Sequence, residues 1–208
     1  MVDINNQLLK LPINEAQEEI AKLIGLGYTD LILTFPILVN GEYDIEEMVS
    51  KFNMYKVNFK AINLYLGNEV YYHYSLIHRL KKHDILTLNG SEYILLKLPK
   101  EKKPEQFRQL IEALEQYKVI ISCADEYKYL TYKDLVDLKK MNVLFLVDIK
   151  NIKKRKTKKL IKNHLVDYLV TYDNINHVLD KNFYNFIDKD YYHKITKDNY
   201  SKIINLPL

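Results

Sequence analysis

The chain has 208 residues, of which 48% are hydrophobic, and its 31 basic and 27 acidic residues give a formal net charge of +4. This length supports one substantial core and is short for two, so we expect a single domain over residues 1–208. The single cysteine excludes an intrachain disulfide, no signal peptide is visible, and the longest apolar stretch (residues 31–39) is too short to cross a membrane, so we expect a soluble, cytoplasmic protein.

Short apolar strands alternate with amphipathic helices from the start of the chain. A first strand over VDINNQ is followed by a helix that begins with Asn14 as its N-cap and ends at Gly27. The later elements are a strand at 29–35, a helix at 42–59, a strand at 61–69, a short helix at 75–85, a strand at 91–99, a helix at 101–117, a strand at 119–127, a helix at 132–142, a strand at 143–149, a basic helix, and a strand at 165–174. Residues 180–208 are less regular and contain one or two short helices at most.

Seven such βα repeats favour a parallel sheet with crossover helices. A doubly wound sheet and a closed barrel both satisfy this pattern. Polar residues favour the barrel because they cluster where the strands end, at Asn5 and Gln7, Glu69, Ser122 to Asp125, and Thr171 and Asp173. In a barrel these ends converge on one face, where functional sites lie. No glycine-rich dinucleotide or P-loop motif is present, which argues against nucleotide binding.

Three segments resemble one known family. They are LGNEVYYHYSLIHRLKKHDILTLNGSEYILLKLP (66–99), VIISCADEY (119–127) and LILTFPILVNGEY (31–43). They are similar to the PHP-superfamily tyrosine phosphatases of bacterial capsule and exopolysaccharide loci, the CpsB/CapC/YwqE type, over roughly residues 1–177. The resemblance implies an α/β fold, a PHP-type distorted (β/α)7 TIM-like barrel, and a protein-tyrosine phosphatase activity that uses manganese or iron.

Most metal ligands of that family are replaced in this chain. The family's H-x-H falls on Asn5 and Gln7, its T-P-H histidine falls on Pro36, and its A-H-P-E-R histidine falls on Cys123. A histidine motif near strand seven falls on Thr171, Tyr172 and Asn174, or one residue later on Asp173 and Ile175; neither alignment retains the histidine. The resemblance therefore implies a vestigial pocket formed by Asp3, Asn5, Gln7, Thr34, Pro36, Glu69, Cys123, Asp125, Glu126, Asp173 and Asn174.

This donor set is poor for transition metals, because amides are weak ligands and proline offers none. Glu69 is retained, and we expect it to pair with Lys97, which stands where the family has a glutamate. Glu126 replaces an arginine that the resemblance implies binds phosphate, so it disfavours an anionic substrate. Cys123 lacks the arginine of a C-x5-R phosphatase loop, so we interpret it as a structural thiol.

The leading hypothesis is a catalytically inactive pseudophosphatase that acts as a binding or regulatory module, with no metal or other cofactor. A tyrosine kinase or its tyrosine-rich tail is the partner that this hypothesis suggests, and an oligomer is compatible with it. One alternative is a residual phosphoesterase with a single metal at Glu69, Asp173 and Cys123. Another is a βα protein whose basic run, Lys150–Lys159, binds nucleic acid or an acidic partner, although a solvated helix face explains the run more simply.

Overall fold

The structure, a computed structural model, describes residues 2–6, 8–37, 44–170 and 187–204. The strands are β1 (Val2–Asn6), β2 (Asp30–Ile37), β3 (Asn63–Tyr71), β4 (Tyr93–Lys97), β5 (Lys118–Ile121), β6 (Leu144–Asp148) and β7 (Tyr168–Val170). The helices are α1 (Ile13–Gly25), α2 (Ile45–Asn58), α3 (Leu76–Lys81), α4 (Phe107–Ala113), α5 (Tyr132–Lys140), α6 (Arg155–Lys162), α7 (Lys189–His193) and α8 (Asn199–Ile204).

All seven strands are parallel and pair in sequence order, from β1 to β7. β1 also lies against β7, so the sheet is nearly closed into a barrel. This confirms the predicted barrel over the doubly wound sheet. Within the described ranges, no helix is long and apolar enough to cross a membrane.

Strand side chains alternate between the barrel interior and the surrounding helical layer. On β2, Ile32 packs in the interior, whereas Leu31 and Leu33 pack outward with residues of α1 and α2. The interior cluster consists of Val2, Ile4, Ile32, Leu88, Tyr93, Leu95, Ile120, Cys123, Leu146, Tyr168, Val170, Tyr200 and Ile203. A larger outer cluster joins the sheet to α3, α4, α5 and α6. Both strand faces are therefore buried, which explains the continuously apolar strands of the sequence.

The segment before β4 enters the barrel wall beside β3. The Leu86 carbonyl accepts a hydrogen bond from the Asn68 N–H (3.2 Å), and the Leu86 N–H donates to Asn68 Oδ1 (2.6 Å). The fully buried Leu88 lies against Gly67, where an added Cβ would stand 2.7 Å from Leu88 Cδ2 and 3.0 Å from Leu88 Cα. Gly67 is thus required for this close approach.

Residues 189–204 form one continuous helical segment, in which a π-helical turn (Lys194–Asp198) joins α7 to α8. This C-terminal helix contacts β7 and β1. The Tyr191 hydroxyl donates to the Val166 carbonyl (2.8 Å) and accepts from the Val166 N–H (3.0 Å). The Tyr200 hydroxyl donates to the Leu169 carbonyl (2.6 Å). The region predicted to be less regular therefore contains an element that covers the junction of the first and last strands.

The structure corrects three local predictions. α1 begins after Pro12 and not at Asn14, although Gly27 adopts the positive φ (+86°) expected at a helix end. α4 is shorter than the predicted 101–117 because a turn around Pro104 precedes it and a second turn leads directly into β5. β5 ends at Ile121 and not at Tyr127, since Cys123 has φ +49° and the Glu126 N–H donates to the Cys123 carbonyl, which turns the chain.

Candidate functional site

Glu69 is fully buried at the carboxyl end of the strands, where it binds side chains from β4 and from the residue after β5. Lys97 Nζ, at the end of β4, lies 3.1 Å from Glu69 Oε2. The Ser122 hydroxyl donates to Glu69 Oε1 at 2.7 Å. We call Glu69, Lys97, Ser122 and the adjoining Cys123 the Glu69 cluster. It confirms the predicted pairing of Glu69 with Lys97.

Cys123 is a buried thiol in this cluster, with its Sγ 3.9 Å from Ser122 Oγ. Burial, reinforced by the negative charge of Glu126, raises the pKa of the thiol to about 12. At neutral pH the sulfur is therefore protonated, and a thiol is neither a strong nucleophile nor a good metal ligand. These properties support the structural interpretation of Cys123.

Asp125 connects the loop after β5 to α6. Its Oδ2 accepts a hydrogen bond from the buried Thr157 hydroxyl at 2.8 Å, and burial raises its pKa. Its Oδ1 has no hydrogen-bond partner among the described residues. This carboxyl group thus links the loop after β5 to α6.

Glu126 lies among cationic and amide groups at the same end of the barrel. Its Oε1 accepts from Asn151 Nδ2 (3.2 Å), and Lys100 Nζ lies 3.5 Å from its Oε2. Burial tends to raise the pKa of Glu126, but the Asn151 hydrogen bond and the charges of Lys100 and Lys150 outweigh it and leave the pKa lowered. Glu126 is therefore ionised at neutral pH, with its charge partly offset.

The remaining predicted site residues lie at different levels along the strands, and some are distant from Glu69. Thr34 is fully buried in β2 and pairs with Gly67, while Pro36 pairs directly with Glu69. Asp3 is fully buried but pairs with Leu31 and, through it, with Leu64, five residues before Glu69, or about 16 Å along the strands. Asp3 therefore lies earlier along the strands than Glu69, and its place in the pocket stays a prediction.

Asn5 lies in β1 at a break in the pairing register between Ile4 and Asn6. Such a bulge redirects the strand. Gln7, Asp173 and Asn174 lie outside the described residues, as do both possible positions of the strand-seven motif.

The described residues do not fit a manganese or iron site. No group of three or more His, Cys, Asp or Glu side chains among residues 2–6, 8–37, 44–170 and 187–204 is arranged to hold a metal. Glu69, the retained ligand-type residue, already binds an ammonium and a hydroxyl group, and Cys123 is held as the thiol. A divalent ion needs several anionic or imidazole donors, which this cluster lacks.

The basic run forms α6 and the turn before it. Thr157, Leu160 and Ile161 are buried on the inner face of α6. Some of its lysines have internal partners: Lys156 Nζ donates to the Tyr127 carbonyl (2.6 Å), and Lys159 Nζ lies 4.3 Å from the centre of the Tyr132 ring. This arrangement matches a solvated helix face.

Sequence reasoning missed Asp148 and Lys150. Asp148 is fully buried at the end of β6, with its Oδ1 accepting from the Lys150 N–H (2.9 Å) and its Oδ2 2.8 Å from Lys150 Nζ. Burial raises the pKa of Asp148, although the hydrogen bonds and the positive charge of Lys150 act to lower it. The signal was present, because an aspartate closes the apolar run VLFLVD, as polar residues close the other strands.

Two comparisons concern the sequence. The family model for capsular polysaccharide synthesis proteins of the CpsB/CapC type matches residues 40–205. The CapC protein of Staphylococcus aureus, which carries a provisional tyrosine-protein phosphatase name, is 32% identical over 127 residues, or 55% of this chain and 49% of that protein. The match thus spans about half the length of this curated relative.

Solved structures share the fold at low sequence identity. The structures of YwqE from Bacillus subtilis and CpsB from Streptococcus pneumoniae, described as metal-dependent tyrosine phosphatases, match with a TM-score of 0.82 and 17% identity over 100% of this chain and 96% of theirs. An inactive dihydroorotase-like domain from Chaetomium thermophilum matches with a TM-score of 0.62 and 9% identity over 100% and 79%. Histidinol phosphate phosphatase from Lactococcus lactis, complexed with zinc, L-histidinol and phosphate, matches with a TM-score of 0.53 and 10% identity over 89% and 90%.

Proposed function

Because the chain belongs to the CpsB/CapC family of capsular polysaccharide synthesis proteins, we propose that it is a non-catalytic member that keeps the barrel as a binding or regulatory module. The single observation that carries the proposal is the contact of Lys97 with Glu69 in the barrel. We also assign the protein to the cytoplasm, since its one cysteine fits a reducing compartment.

The Lys97 ammonium group provides one positive charge where the family resemblance implies metal ions. An ion pair of this kind is retained only if the charges are matched and hydrogen-bonded. Ser122 supplies the additional hydrogen bond to Glu69. A metal ion would have to displace Lys97 and leave its ammonium group, whose side chain is only 15% exposed, without this partner.

The surroundings of Glu126 also disfavour phosphatase chemistry. Phosphoryl transfer requires positive groups that stabilise charge on the phosphoryl oxygens. The resemblance implies an arginine at this position, whereas this chain presents an ionised carboxylate. The carboxylate repels a phosphate monoester and occupies Lys100, one of the cations nearby.

Metal content and turnover test the proposal together. The purified protein is incubated with excess Mn²⁺, Fe²⁺ or Zn²⁺, desalted, analysed by mass spectrometry for metals, and assayed with p-nitrophenyl phosphate; YwqE serves as the positive control. We expect far less than one metal ion per chain and no hydrolysis above the buffer rate. Stoichiometric metal together with turnover would overturn the proposal and favour the residual phosphoesterase.

A variant series separates the role of Lys97 from general charge effects. Lys97→Glu places a carboxylate where the family has a glutamate and should raise metal uptake above that of the wild type. Lys97→Gln removes the ammonium group without adding a carboxylate and should have a smaller effect. Lys100→Glu is the matched control, because Lys100 is 68% exposed and contacts Glu126 instead of Glu69. Equal uptake by all three variants would refute the assigned role of Lys97.

The proposed partner is a tyrosine-rich segment of a tyrosine kinase, and the support is that the matched relatives carry tyrosine phosphatase names. We expect a fluorescent tyrosine-rich peptide to bind equally well with and without EDTA, as measured by fluorescence anisotropy. The same peptide with phenylalanine in place of tyrosine is the control. Equal binding of both peptides, or binding of neither, would reject this partner.

A further inference from the structure

A cavity lies at the opposite end of the barrel from the Glu69 cluster. It is lined by the first residues of four consecutive strands, Tyr93, Lys118, Leu144 and Tyr168, and has a volume of about 560 Å³. We call it the amino-end cleft. Its volume falls in the usual range of small-molecule sites, about 300–1,000 Å³. Barrel enzymes place their chemistry at the other end, so a ligand here would be bound without being transformed.

Two ion pairs neutralise most charges of the cleft wall. Lys118 pairs with Glu92, and Lys139 Nζ lies 2.5 Å from Asp167 Oδ2. Three charged lining residues then remain, which are Glu115, Lys194 and Lys202. Within the described part of the chain, neither Lys194 nor Lys202 has an ion-pair partner. The two ammonium groups, both on the C-terminal helix, outnumber the one remaining carboxylate, Glu115, although the charge of Lys194 also acts on Asp167, so the cleft keeps a net positive charge.

The π-helical turn explains why both lysines line the same cleft. In a regular α-helix of 3.6 residues per turn, residues eight apart are rotated by about 80° from each other. A π turn contains about one residue more than an α-helical turn. Residues eight apart across it therefore lie close to the same face of the helix. Lys194 begins the π turn, Asn199 follows it, and Lys202 lies in α8; all three line the cleft. Turns of this type occur frequently at functional sites.

The chemistry of the lining indicates the class of ligand. The ammonium groups of two lysines that line the same cleft can bind a phosphate group as point charges. The amides of Gln116 and Asn142 and the half-buried Tyr117 offer hydrogen bonds that suit hydroxyl groups. We propose that the amino-end cleft binds a small organic phosphate with a hydroxyl-bearing body, whose phosphate group is held by Lys194 and Lys202. This proposal is independent of whether the Glu69 cluster is catalytic.

Calorimetric titration with ribose 5-phosphate tests the proposal on the full chain. We expect saturable binding at a 1:1 ratio that ribose alone does not show and inorganic phosphate shows more weakly. Lys194→Gln combined with Lys202→Gln should weaken binding at least tenfold. Lys189→Gln combined with Lys197→Gln is the matched control, since these exposed lysines lie on the same helical segment but do not line the cleft. It should change affinity less than twofold.

Amide chemical shifts then locate the bound ligand. We expect changes at residues 92–93, 116–118 and 142–144 and none at residues 97–100 or 122–126. Three results would overturn the proposal: no binding, equal weakening by both double variants, or shifts confined to the carboxyl end. If inorganic phosphate binds as tightly as ribose 5-phosphate, the hydroxyl-bearing part of the ligand contributes nothing, and the proposal of an organic phosphate is rejected. Circular dichroism melts of each variant exclude loss of folding as the cause.

Discussion

At the scale of single residues, Glu69 depends on Lys97. Removing one partner of a buried ion pair leaves the other charge unpaired, which costs about 3–5 kcal/mol. Lys97→Met should therefore lower the free energy of unfolding by this amount in urea titrations at pH 7. Lys100→Met, at an exposed position, should change it by less than about 0.5 kcal/mol.

The double variant Glu69→Gln with Lys97→Met distinguishes a lost ion pair from a general packing defect. The glutamine can still accept the Ser122 hydrogen bond but carries no charge, so much of the lost stability should return. Additive losses in the double variant would contradict the assignment, because independent sites add and coupled sites do not.

The Cys123 thiol should react slowly in the folded protein. Its pKa is raised from its ordinary value of 9.0 to about 12, so the thiolate fraction at pH 8 falls about 1,000-fold, and burial restricts access further. Iodoacetamide labelling followed by mass spectrometry should proceed at least 100-fold faster in 8 M urea than in buffer. Comparable rates in both solutions would show that the thiol is accessible and reactive in the folded state.

This thiol also makes stability depend on pH in a defined window. A group with a raised pKa in the folded state contributes stability below its unfolded pKa and loses that contribution as the pH rises through the folded value. For Cys123 the loss runs from about pH 9 to about pH 12. Cys123→Ala should reduce this part of the alkaline destabilisation.

At the scale of secondary-structure elements, Gly67 allows the segment before β4 to join the barrel wall. Gly67→Ala would place its Cβ 2.7 Å from Leu88 Cδ2 and 3.0 Å from Leu88 Cα. Because the second atom belongs to the backbone, β3 and the segment that contains Leu88 must move apart. We expect a loss of about 1–3 kcal/mol in the free energy of unfolding, measured by urea titration. Gly25→Ala, whose Cβ would have nothing within 4 Å, should not destabilise the protein.

The N-terminus of α5 has a reciprocal capping box. Thr131 Oγ1 accepts from the Asp134 N–H (3.2 Å), and Asp134 Oδ2 accepts from the Thr131 N–H (2.9 Å). Thr131→Ala should cost about 1 kcal/mol in the free energy of unfolding. Thermal melts provide the measurement. An unchanged melt would show that water replaces the cap.

The pH dependence of Asp134 is opposite in sign to that of Cys123. Hydrogen bonds from Lys103 and Thr131 lower its pKa to about 2, below the ordinary 3.8. Its contribution is present above pH 3.8 and disappears as the pH falls through about 2. The stability difference between wild type and Asp134→Asn should therefore shrink over that interval, whereas Asp137→Asn, at an exposed site on α5, should produce only a small difference.

At the scale of the whole molecule, the C-terminal helix secures the junction of β1 and β7. Tyr191 and Tyr200 carry its hydroxyl contacts to the barrel backbone. Replacing both by phenylalanine keeps the rings but leaves buried carbonyl groups unpaired, at about 1–3 kcal/mol each. In this double variant, amide hydrogen exchange should show a larger loss of protection in β7 than in β4. Tyr74→Phe, at a residue that is 77% exposed, is the control and should leave exchange unchanged.

The sequence was sufficient to predict the parallel barrel, because repeated βα units leave few topologies and the polar residues lie where the strands end. It was also sufficient for the pairing of Lys97 with Glu69, since both positions belong to one resembled segment. It could not predict the approach of Leu88 to Gly67, which depends on a loop leaving the strand register. Nor could it predict the positive φ of Cys123 or the π turn, because both are set by distant packing.

The charge that Lys97 brings to the barrel differs from a metal ion in its origin. A metalloprotein completes its interior only after it captures an ion, so its folded population rises and falls with the free ion concentration. Here the balancing cation is encoded in the gene and arrives with the nascent chain. The fold of this protein should therefore form equally well in metal-starved and metal-replete cells, and EDTA should leave its melting temperature unchanged. The proposed non-catalytic function thus predicts a fold that does not depend on metal supply, because Lys97 provides the positive charge beside Glu69.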